Sequence, residues 1–336
     1  MTVQTRYFVL ISLLFVATII VITYINLQAE GNEFIHIRMH LSMEPDIQIL
    51  TLNEISDHHD FNTTFFVESS DAGYLNPRQS CSVEAAARAQ YPHLVTIYMT
   101  KVQVEKMEQQ NDWIKNLTNV KLVHLEAKKF FTNDNLGRIY EEVKNTSPHK
   151  VEHVSDLARI ALLKKFGGLY IDLDAVLLKS TADLNSFLLK NFANGILKFQ
   201  KGHPIVEALY HRLNETKFNS MSWTGLGEEL IRKVMADTCN FTTNNFEEAS
   251  QTCNVTFLNN EYFLPVFWGN WKDLFGKDIE LETYKPEVMK LAYAIEFSNF
   301  LTSNIPIVKG RRQLFEQVAK KYCPSVYHTL PKFYKR

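Results

Sequence analysis

The sequence predicts an α/β protein whose single catalytic domain is built on a mostly parallel sheet. Two observations carry that expectation. From about residue 61 onward, runs rich in β-branched and aromatic residues alternate with stretches at helical spacing. Near residue 167 a glycine pair hands a helix directly to a strand. Strands alternating with helices imply parallel pairing under helices on both faces. Such sheets take their ligands beyond the carboxyl ends of the strands, so the chemistry is sought there.

The chain has 336 residues, 46% of them hydrophobic and 12% aromatic, enough for a sizeable core. Its 36 basic and 37 acidic residues nearly cancel, so no basic excess points to nucleic acid and no acidic block to a disordered tail.

Tyr7 to Ala29 contains no Asp, Glu, Lys or Arg. A helix of roughly 20 apolar residues crosses a bilayer core. Arg6 precedes this run and Glu30 and Glu33 follow it, so the positive-inside preference leaves a short cytosolic tail. The expected organisation is a tail at 1–6, a transmembrane anchor at 7–27, a stem at 28–60 and a lumenal catalytic domain at 61–336. A cleaved signal peptide is the competing reading, but its apolar region is usually about 7–15 residues, ending in a small-residue cleavage site that is missing here. The stem centre, Asp57-His58-His59-Asp60, reads as a solvated linker rather than a metal site.

Six N-x-[ST] sequons begin at Asn62, Asn116, Asn145, Asn214, Asn240 and Asn254, which suits a glycosylated lumenal domain. The four cysteines are even in number, as expected where disulfides form. Four cysteines allow three pairings. Cys239 with Cys253 closes a short polar loop and leaves Cys81 with Cys323 by elimination, with buried free thiols as the alternative. No C-x-x-C or nearby His pair suggests zinc.

Within the domain, Asn62 to Glu68 reads as a strand ending in the turn Ser69-Ser70-Asp71. Ser80 to Gln90 reads as a helix, with Val83, Ala86, Ala87 and Gln90 at helical spacing and Pro92 beyond. Leu94 to Met99 is a β-branched and aromatic strand. A helix near Gln110 to Leu117 and a strand at Val120 to Leu125 follow.

The densest segment runs from Ser155 to Asp174. Ser155 reads as an N-cap, Leu157, Ile160, Ala161 and Lys164 form one stripe, and Gly167 or Gly168 ends the helix in a left-handed conformation. Leu169-Tyr170-Ile171 is then a strand entering Asp172-Leu173-Asp174. Strand alternation would point Asp172 and Asp174 the same way. Two carboxylates on one side make a hard-oxygen site suited to Mn²⁺ or Mg²⁺, with open positions for diphosphate oxygens. Asp156 and Arg159, three apart on the helix, could reach the hydroxyls of a transferred sugar. A bare D-x-D is common; S-D-x-x-R, helix, G-G-x-Y and strand in that order make it specific.

Ser155 to Asp174 resembles the sugar-binding region of glycosyltransferases with the DXD motif. The wider chain looks like the α1,4-galactosyltransferase and α1,4-N-acetylglucosaminyltransferase family, which includes globotriaosylceramide synthase. Phe65-Phe66-Val67-Glu68-Ser69-Ser70 resembles its first strand and Cys81 to Arg88 its first helix. Asn194-Gly195, Phe199 and His203 fit the strand after the metal site. Glu261 to Pro265, Trp268, Trp271 and Phe275 fit its aromatic C-terminal region, and Tyr322-Cys323-Pro324 its end. The likeness covers roughly residues 61 to 325.

The resemblance implies a GT-A-like, Rossmann-type fold, a UDP-sugar donor (UDP-galactose or a UDP-N-acetylhexosamine), Mn²⁺, retention of anomeric configuration and a Golgi location. Asp172 and Asp174 would hold the metal-diphosphate, Asp156 and Arg159 would contact the donor sugar, and Tyr170 would line the nucleotide site. No nucleophile can be named, and a front-face displacement needs none.

Two places depart from the family pattern. In the acceptor region, where the family carries Trp followed by His or Asn and Gly-Pro, this chain reads Trp223-Thr224-Gly225-Leu226-Gly227. Where the family shows A-x-H-x-W-N, it reads Ala294-Ile295-Glu296-Phe297-Ser298-Asn299. Glu296 could still ligate metal through oxygen, but it adds negative charge beside a diphosphate. Unit charges about 4 Å apart interact by roughly 4 kcal/mol at an effective dielectric near 20. Phe263, Phe267, Trp268 and Trp271 read as core packing before they read as an acceptor platform. No nucleophile elbow, Walker loop or dinucleotide fingerprint supports a hydrolase, kinase or dehydrogenase.

The expected protein is a Golgi type II α-glycosyltransferase, moving galactose or an N-acetylhexosamine to a terminal sugar of a glycolipid or glycoprotein. The alternative is a catalytically weak or silent lumenal paralogue that binds a glycan or a partner transferase.

Overall fold

The computed structural model describes residues 47–276 and 279–331, with the backbone of 333–334. The expected tail, the anchor at 7–27 and the stem to residue 46 lie outside the described residues. Among the described residues no helix is long and apolar enough to cross a membrane.

In chain order the strands and principal helices are β1 (Ile49–Leu50), β2 (Thr64–Glu68), α1 (Pro77–Gln90), β3 (Val95–Met99), β4 (Val120–His124), α2 (Lys150–Phe166), β5 (Gly168–Ile171), β6 (Ala175–Leu177), β7 (Phe187–Leu189) and β8 (Ile196–Phe199). They continue through α3 (Pro204–Glu215), α4 (Glu228–Cys239), α5 (Phe246–Cys253), β9 (Thr256–Leu258), β10 (Ala294–Glu296), β11 (Ile307–Val308), α6 (Leu314–Tyr322) and β12 (Phe333–Tyr334). Shorter helices are named by residue.

The main sheet has the order β1-β4-β3-β2-β5-β8-β7-β9. Five of its seven pairings are parallel; only β5 with β8 and β8 with β7 are antiparallel. The expectation of a mostly parallel α/β sheet therefore holds. The order steps outward from β2 to β3 to β4 and then returns to place β5 on the other side of β2, a topological switch point.

Strand alternation divides the core. Phe65 and Val67 pack with Tyr98, Tyr170 and the residues of α2 on one face, while Phe66 packs with Ile97, Leu169, Ile171 and α1 on the other. Burying an aromatic ring on this scale stabilises by about 2–3 kcal/mol, so both faces contribute and β2, buried throughout, is central.

Several expected boundaries move. Residues 47–60 are not stem: β1 pairs with β4 in parallel, and Ile47 and Ile55 are buried. His59 is no linker residue either; it stacks on Phe166 with ring centroids 4.5 Å apart and meets the Tyr98 hydroxyl at 2.7 Å. Helix α1 starts at Pro77 rather than Ser80, because Asn76 accepts from the Arg78 and Gln79 N–H groups and Gln79 returns the bond. That capping box with proline in the first turn is a stronger start signal than apolar spacing. The helix expected near 110–117 is a helix at Val104–Gln110 followed by a 3₁₀ turn at Asp112–Asn116.

Helix α2 begins at Lys150, so Ser155 is not its N-cap and Asp156 and Arg159 are not in its first turn. It is buried without a break from His153 to Leu163, which makes it a core helix rather than a one-stripe surface helix. It ends where Gly167 N–H bonds the Leu163 carbonyl at 2.8 Å. Gly167 and Gly168 both take positive φ, +73° and +100°. A Cβ at either would sit 2.5 Å from Lys201 N or 2.6 Å from Thr63 O, so glycine is required by space as well as by backbone.

Both expected disulfides are formed. Cys81–Cys323 ties α1 to the end of α6, and Cys239–Cys253 ties the ends of α4 and α5. All six sequon asparagines are exposed or half-buried.

Candidate active site at the end of β5

Strand β5 ends at Ile171, and Asp172 to Asp174 form a turn closed by Ala175 N–H to the Asp172 carbonyl at 3.0 Å. The chain then enters β6, whose Ala175 pairs with Glu296 of β10. This small two-stranded ribbon brings Glu296 to the two aspartates.

The turn also changes how the carboxylates align. Asp172 faces α2: its Oδ1 accepts from the Tyr170 hydroxyl and lies 3.3 Å from Arg159 Nη2. Its own N–H donates to the Gly195 carbonyl at 2.8 Å. Asp174 faces the segment after β10, where its Oδ2 accepts from Asn299 N–H at 2.7 Å and its carbonyl accepts from Phe297 N–H at 2.9 Å. The expectation that strand alternation aims both side chains alike is therefore replaced. A turn, with separate partners for each carboxylate, holds them beside one another.

Arg159 is 4% exposed and each of its three nitrogens is engaged. Nη1 donates to the Asn194 carbonyl at 2.7 Å, Nη2 to Ser155 Oγ at 3.1 Å, and Nε to the Ser155 carbonyl at 3.3 Å. Nη2 is also 3.2 Å from Asp156 Oδ1, and the guanidinium lies 4.4 Å from the centroid of the Tyr170 ring. Asp156 Oδ1 accepts from Asn194 Nδ2 at 2.7 Å. Arg159 thus braces Asp156 and Asp172. Ser155, read as a cap, instead links Arg159 to the Tyr170 hydroxyl at 3.0 Å.

The charges respond to this crowding. Burial, reinforced by Asp172, pushes Asp174 up to about 6, against the Asn299 N–H and the Arg78 charge. Burial, then Asp174 and Asp172, push Glu296 well above the usual carboxylate range. Burial raises Asp156, with the Arg159 charge opposing. For Arg159 burial works against the charge, but Asp172, Tyr170, Asp156 and Asp174 outweigh it and hold the guanidinium protonated. Burial keeps the Tyr170 hydroxyl neutral.

Among the described residues no Lys, Arg or His forms an ion pair with Glu296. Three oxygen donors that repel one another, one lacking any cationic partner, fit a hard divalent ion. No three His, Cys, Asp or Glu side chains among the described residues already close around one metal-sized point. The carboxylates would supply part of a shell, leaving positions for ligand oxygens and water.

Sequence reasoning missed several supporting groups. Asn194 bridges Asp156 and Arg159 and was noted only through the resemblance. Arg78, 2% exposed on α1, donates to Asn299 Oδ1 at 2.8 Å, Thr302 Oγ1 at 3.0 Å and the Ile305 carbonyl at 2.7 Å. It fixes the segment whose backbone holds Asp174. His153 meets Ser147 Oγ through Nδ1 at 2.8 Å and the Ser222 carbonyl through Nε2 at 3.1 Å, tying the Trp223 loop to α2. The carbonyl can only accept, so Nε2 carries the proton. These contacts join residues far apart in sequence, and no local spacing signals them.

The aromatic group divides. Phe263 is buried and stacks on Phe187 with centroids 5.0 Å apart, as core packing requires. Phe267 and Trp268 do not follow that expectation, being 52% and 61% exposed.

Residues 198–330 match the family described as the alpha 1,4-glycosyltransferase conserved region. Residues 103–192, which include the Asp172–Asp174 turn, match the glycosyltransferase sugar-binding region containing DXD motif. The chain is 30% identical over 275 residues to lactosylceramide 4-alpha-galactosyltransferase of Mus musculus, covering 79% of this chain and 75% of that one. It is 25% identical over 281 residues to alpha-1,4-N-acetylglucosaminyltransferase of Homo sapiens, covering 80% of each. Among solved structures it has a loose likeness to the PaToxG glycosyltransferase, with a TM-score of 0.43 and 16% identity over 59% of this chain and 78% of that one.

Proposed function

The chain belongs to the α1,4-glycosyltransferase family of hexosyltransferases, and from that premise we propose that it moves galactose, or an N-acetylhexosamine, from a UDP-sugar to a terminal sugar of a glycolipid. The convergence of Asp172, Asp174 and Glu296 just beyond β5, at the switch point of the sheet, carries this reading. The GT-A-type arrangement of donor-binding groups is part of the same proposal.

Asp172, Asp174 and Glu296 would hold Mn²⁺ or Mg²⁺, which when bound neutralises charge on the departing diphosphate. Arg159 and the Tyr170 hydroxyl fix the Asp172 carboxylate, and Asn299 N–H fixes Asp174 Oδ2, so neither carboxylate must reorganise during transfer. Asp156 Oδ1 is committed to Asn194 and Arg159, which leaves Oδ2 to orient a hydroxyl of the donor sugar. In the transfer the anomeric carbon–phosphate oxygen bond breaks and a bond to the acceptor oxygen forms. The acceptor proton leaves with the nucleoside diphosphate, on the same face if configuration is retained. The apolar run at 7–27 is read as a type II Golgi anchor that keeps the sequons lumenal.

The test is UDP release by the full chain in detergent, with Mn²⁺, a panel of UDP-sugars, and lactosyl and N-acetylhexosaminyl acceptors. Acceptor-dependent release should fall at least about a hundredfold in Asp174→Ala and vanish in EDTA. Glu296→His, measured alongside, should tighten UDP binding about tenfold, because a neutral imidazole would replace a carboxylate that bound metal would ionise beside the diphosphate. Release that survives both EDTA and Asp174→Ala would sink the metal-assisted reading.

A further inference from the structure

Two exposed aromatic side chains touch each other beside the segments that hold the carboxylates. Phe300 is 70% exposed and Trp223 37% exposed, with ring centroids 4.5 Å apart and planes at 44°. Each is anchored to the site from a different side. Phe300 follows Asn299, whose N–H holds Asp174 and whose side chain is held by Arg78. Trp223 follows Ser222, whose carbonyl is bonded by His153 of α2, the helix that carries Asp156 and Arg159. The indole also meets His149 edge-on, at 4.7 Å and 81°. An aromatic row therefore runs from the start of α2 to the segment that holds Asp174. His149 supports Trp223, Trp223 supports Phe300, and the outer face of Phe300 is left open to solvent.

An apolar ring 70% exposed, on a segment tied to the site through Asn299, adds little to the core. We propose that Phe300, buttressed by Trp223, is the platform on which the terminal sugar of the acceptor stacks. The inference rests on the glycosyl-transfer reading and names its acceptor subsite. The chemistry suits a pyranose that presents contiguous C–H groups on one face, as a β-galactoside does. Such a face lies flat on an aromatic ring while the sugar's hydroxyls remain in water or bond to polar neighbours. The pair is in contact, so nothing inserts between the rings and the sugar takes the outer face of Phe300. The diphosphate end of a donor belongs with the carboxylates, whereas an acceptor arrives from solvent, the side to which Phe300 is exposed.

The experiment compares wild type, Phe300→Ala, Phe300→Trp and Trp223→Ala as full chains in detergent, with methyl β-lactoside as acceptor. Phe300→Ala should raise the acceptor KM about tenfold, leave UDP affinity within about twofold, and be rescued by Phe300→Trp. Trp223→Ala should raise the acceptor KM less. An unchanged acceptor KM, or an equal loss of UDP affinity, would overturn the platform, the latter by making Phe300 a nucleotide contact. Saturation-transfer NMR on the lactoside provides a readout independent of turnover. Transfer to the lactoside C–H protons in wild type, lost in Phe300→Ala and restored in Phe300→Trp, supports the platform even if no donor is turned over, an outcome that would count only against the transferase reading. Absence of that transfer in wild type overturns it.

Discussion

At the scale of single residues the site depends on close approach as much as on charge. Gly195 lies directly against Asp172: a Cβ there would sit 2.6 Å from Asp172 Oδ2. The obstructing atom is the end of a side chain rather than backbone, so an added methyl would push the carboxylate aside and leave β8 in place. Gly195→Ala is therefore expected to lower UDP release at least about tenfold while shifting stability by less than about 1 kcal/mol. Steady-state kinetics beside a melting curve separates the two effects, and equal losses in both would show that Gly195 serves the sheet instead. Gly227 is a similar case, because a Cβ there would meet Asn194 Nδ2, the atom that donates to Asp156. Such glycines have no chemistry of their own, so their roles emerge only once the opposite strand or loop is in place.

At the scale of elements, the segment before β2 is part of the fold. His59 packs on Phe166 at the end of α2 and on Phe65 of β2, and its Nδ1 is buried without a partner. Burial pushes the imidazole down to about 4, against a smaller opposing effect of the Asp60 charge. The sign follows directly. Above pH 6.5 the ring is neutral whether the chain is folded or not, and its packing is fully available. As pH falls below 6.5 the unfolded chain takes up a proton that the folded one refuses, so stability drops until about pH 4. His59→Gln cannot titrate and keeps a polar group that can bond the Tyr98 hydroxyl. It should flatten that acid limb by up to roughly 2 kcal/mol, allowing for the ring's partial exposure. Denaturant melts between pH 7 and pH 4.5 measure it, and parallel limbs for the two proteins would refute it. The Asp57-His58-His59-Asp60 run looks like solvent-facing polar sequence, and three of its members are exposed. Only the partners waiting at Phe166 and Tyr98 single out the fourth.

At the scale of the whole molecule, the two disulfides close loops of very different length. Cys81 and Cys323 are 242 residues apart and Cys239 and Cys253 only 14. Chain-entropy reasoning gives about 5 kcal/mol for the long loop and about 3 kcal/mol for the short one at 25 °C, as upper values. Cys323→Ser should therefore lower the melting temperature more than Cys253→Ser. It should also reduce UDP release, because Cys81 lies on the same helix as Arg78, which anchors the Asn299 segment. A larger stability loss in Cys253→Ser, or full activity in Cys323→Ser, would contradict this account.

The sequence by itself determined the class of fold, the order of the central elements and the location of the chemistry. Each rests on local physics: alternation in β2 and β3, the long apolar spacing of α2, glycines where the backbone needs positive φ, and a pair of aspartates leaving a strand. The departures at Trp223 and Glu296 were legible only through the resemblance to the family pattern. Tertiary structure alone decided how those parts serve the site. It turned the chain after Ile171 so that Asp172 and Asp174 have different partners, and it extended α2 so that Ser155 braces Arg159 instead of capping a helix. It also brought Glu296, Arg78, Asn299 and Phe300 across the chain to one place. Contacts of that kind join residues far apart in sequence, and which of them form depends on how the sheet is ordered rather than on any nearby residue.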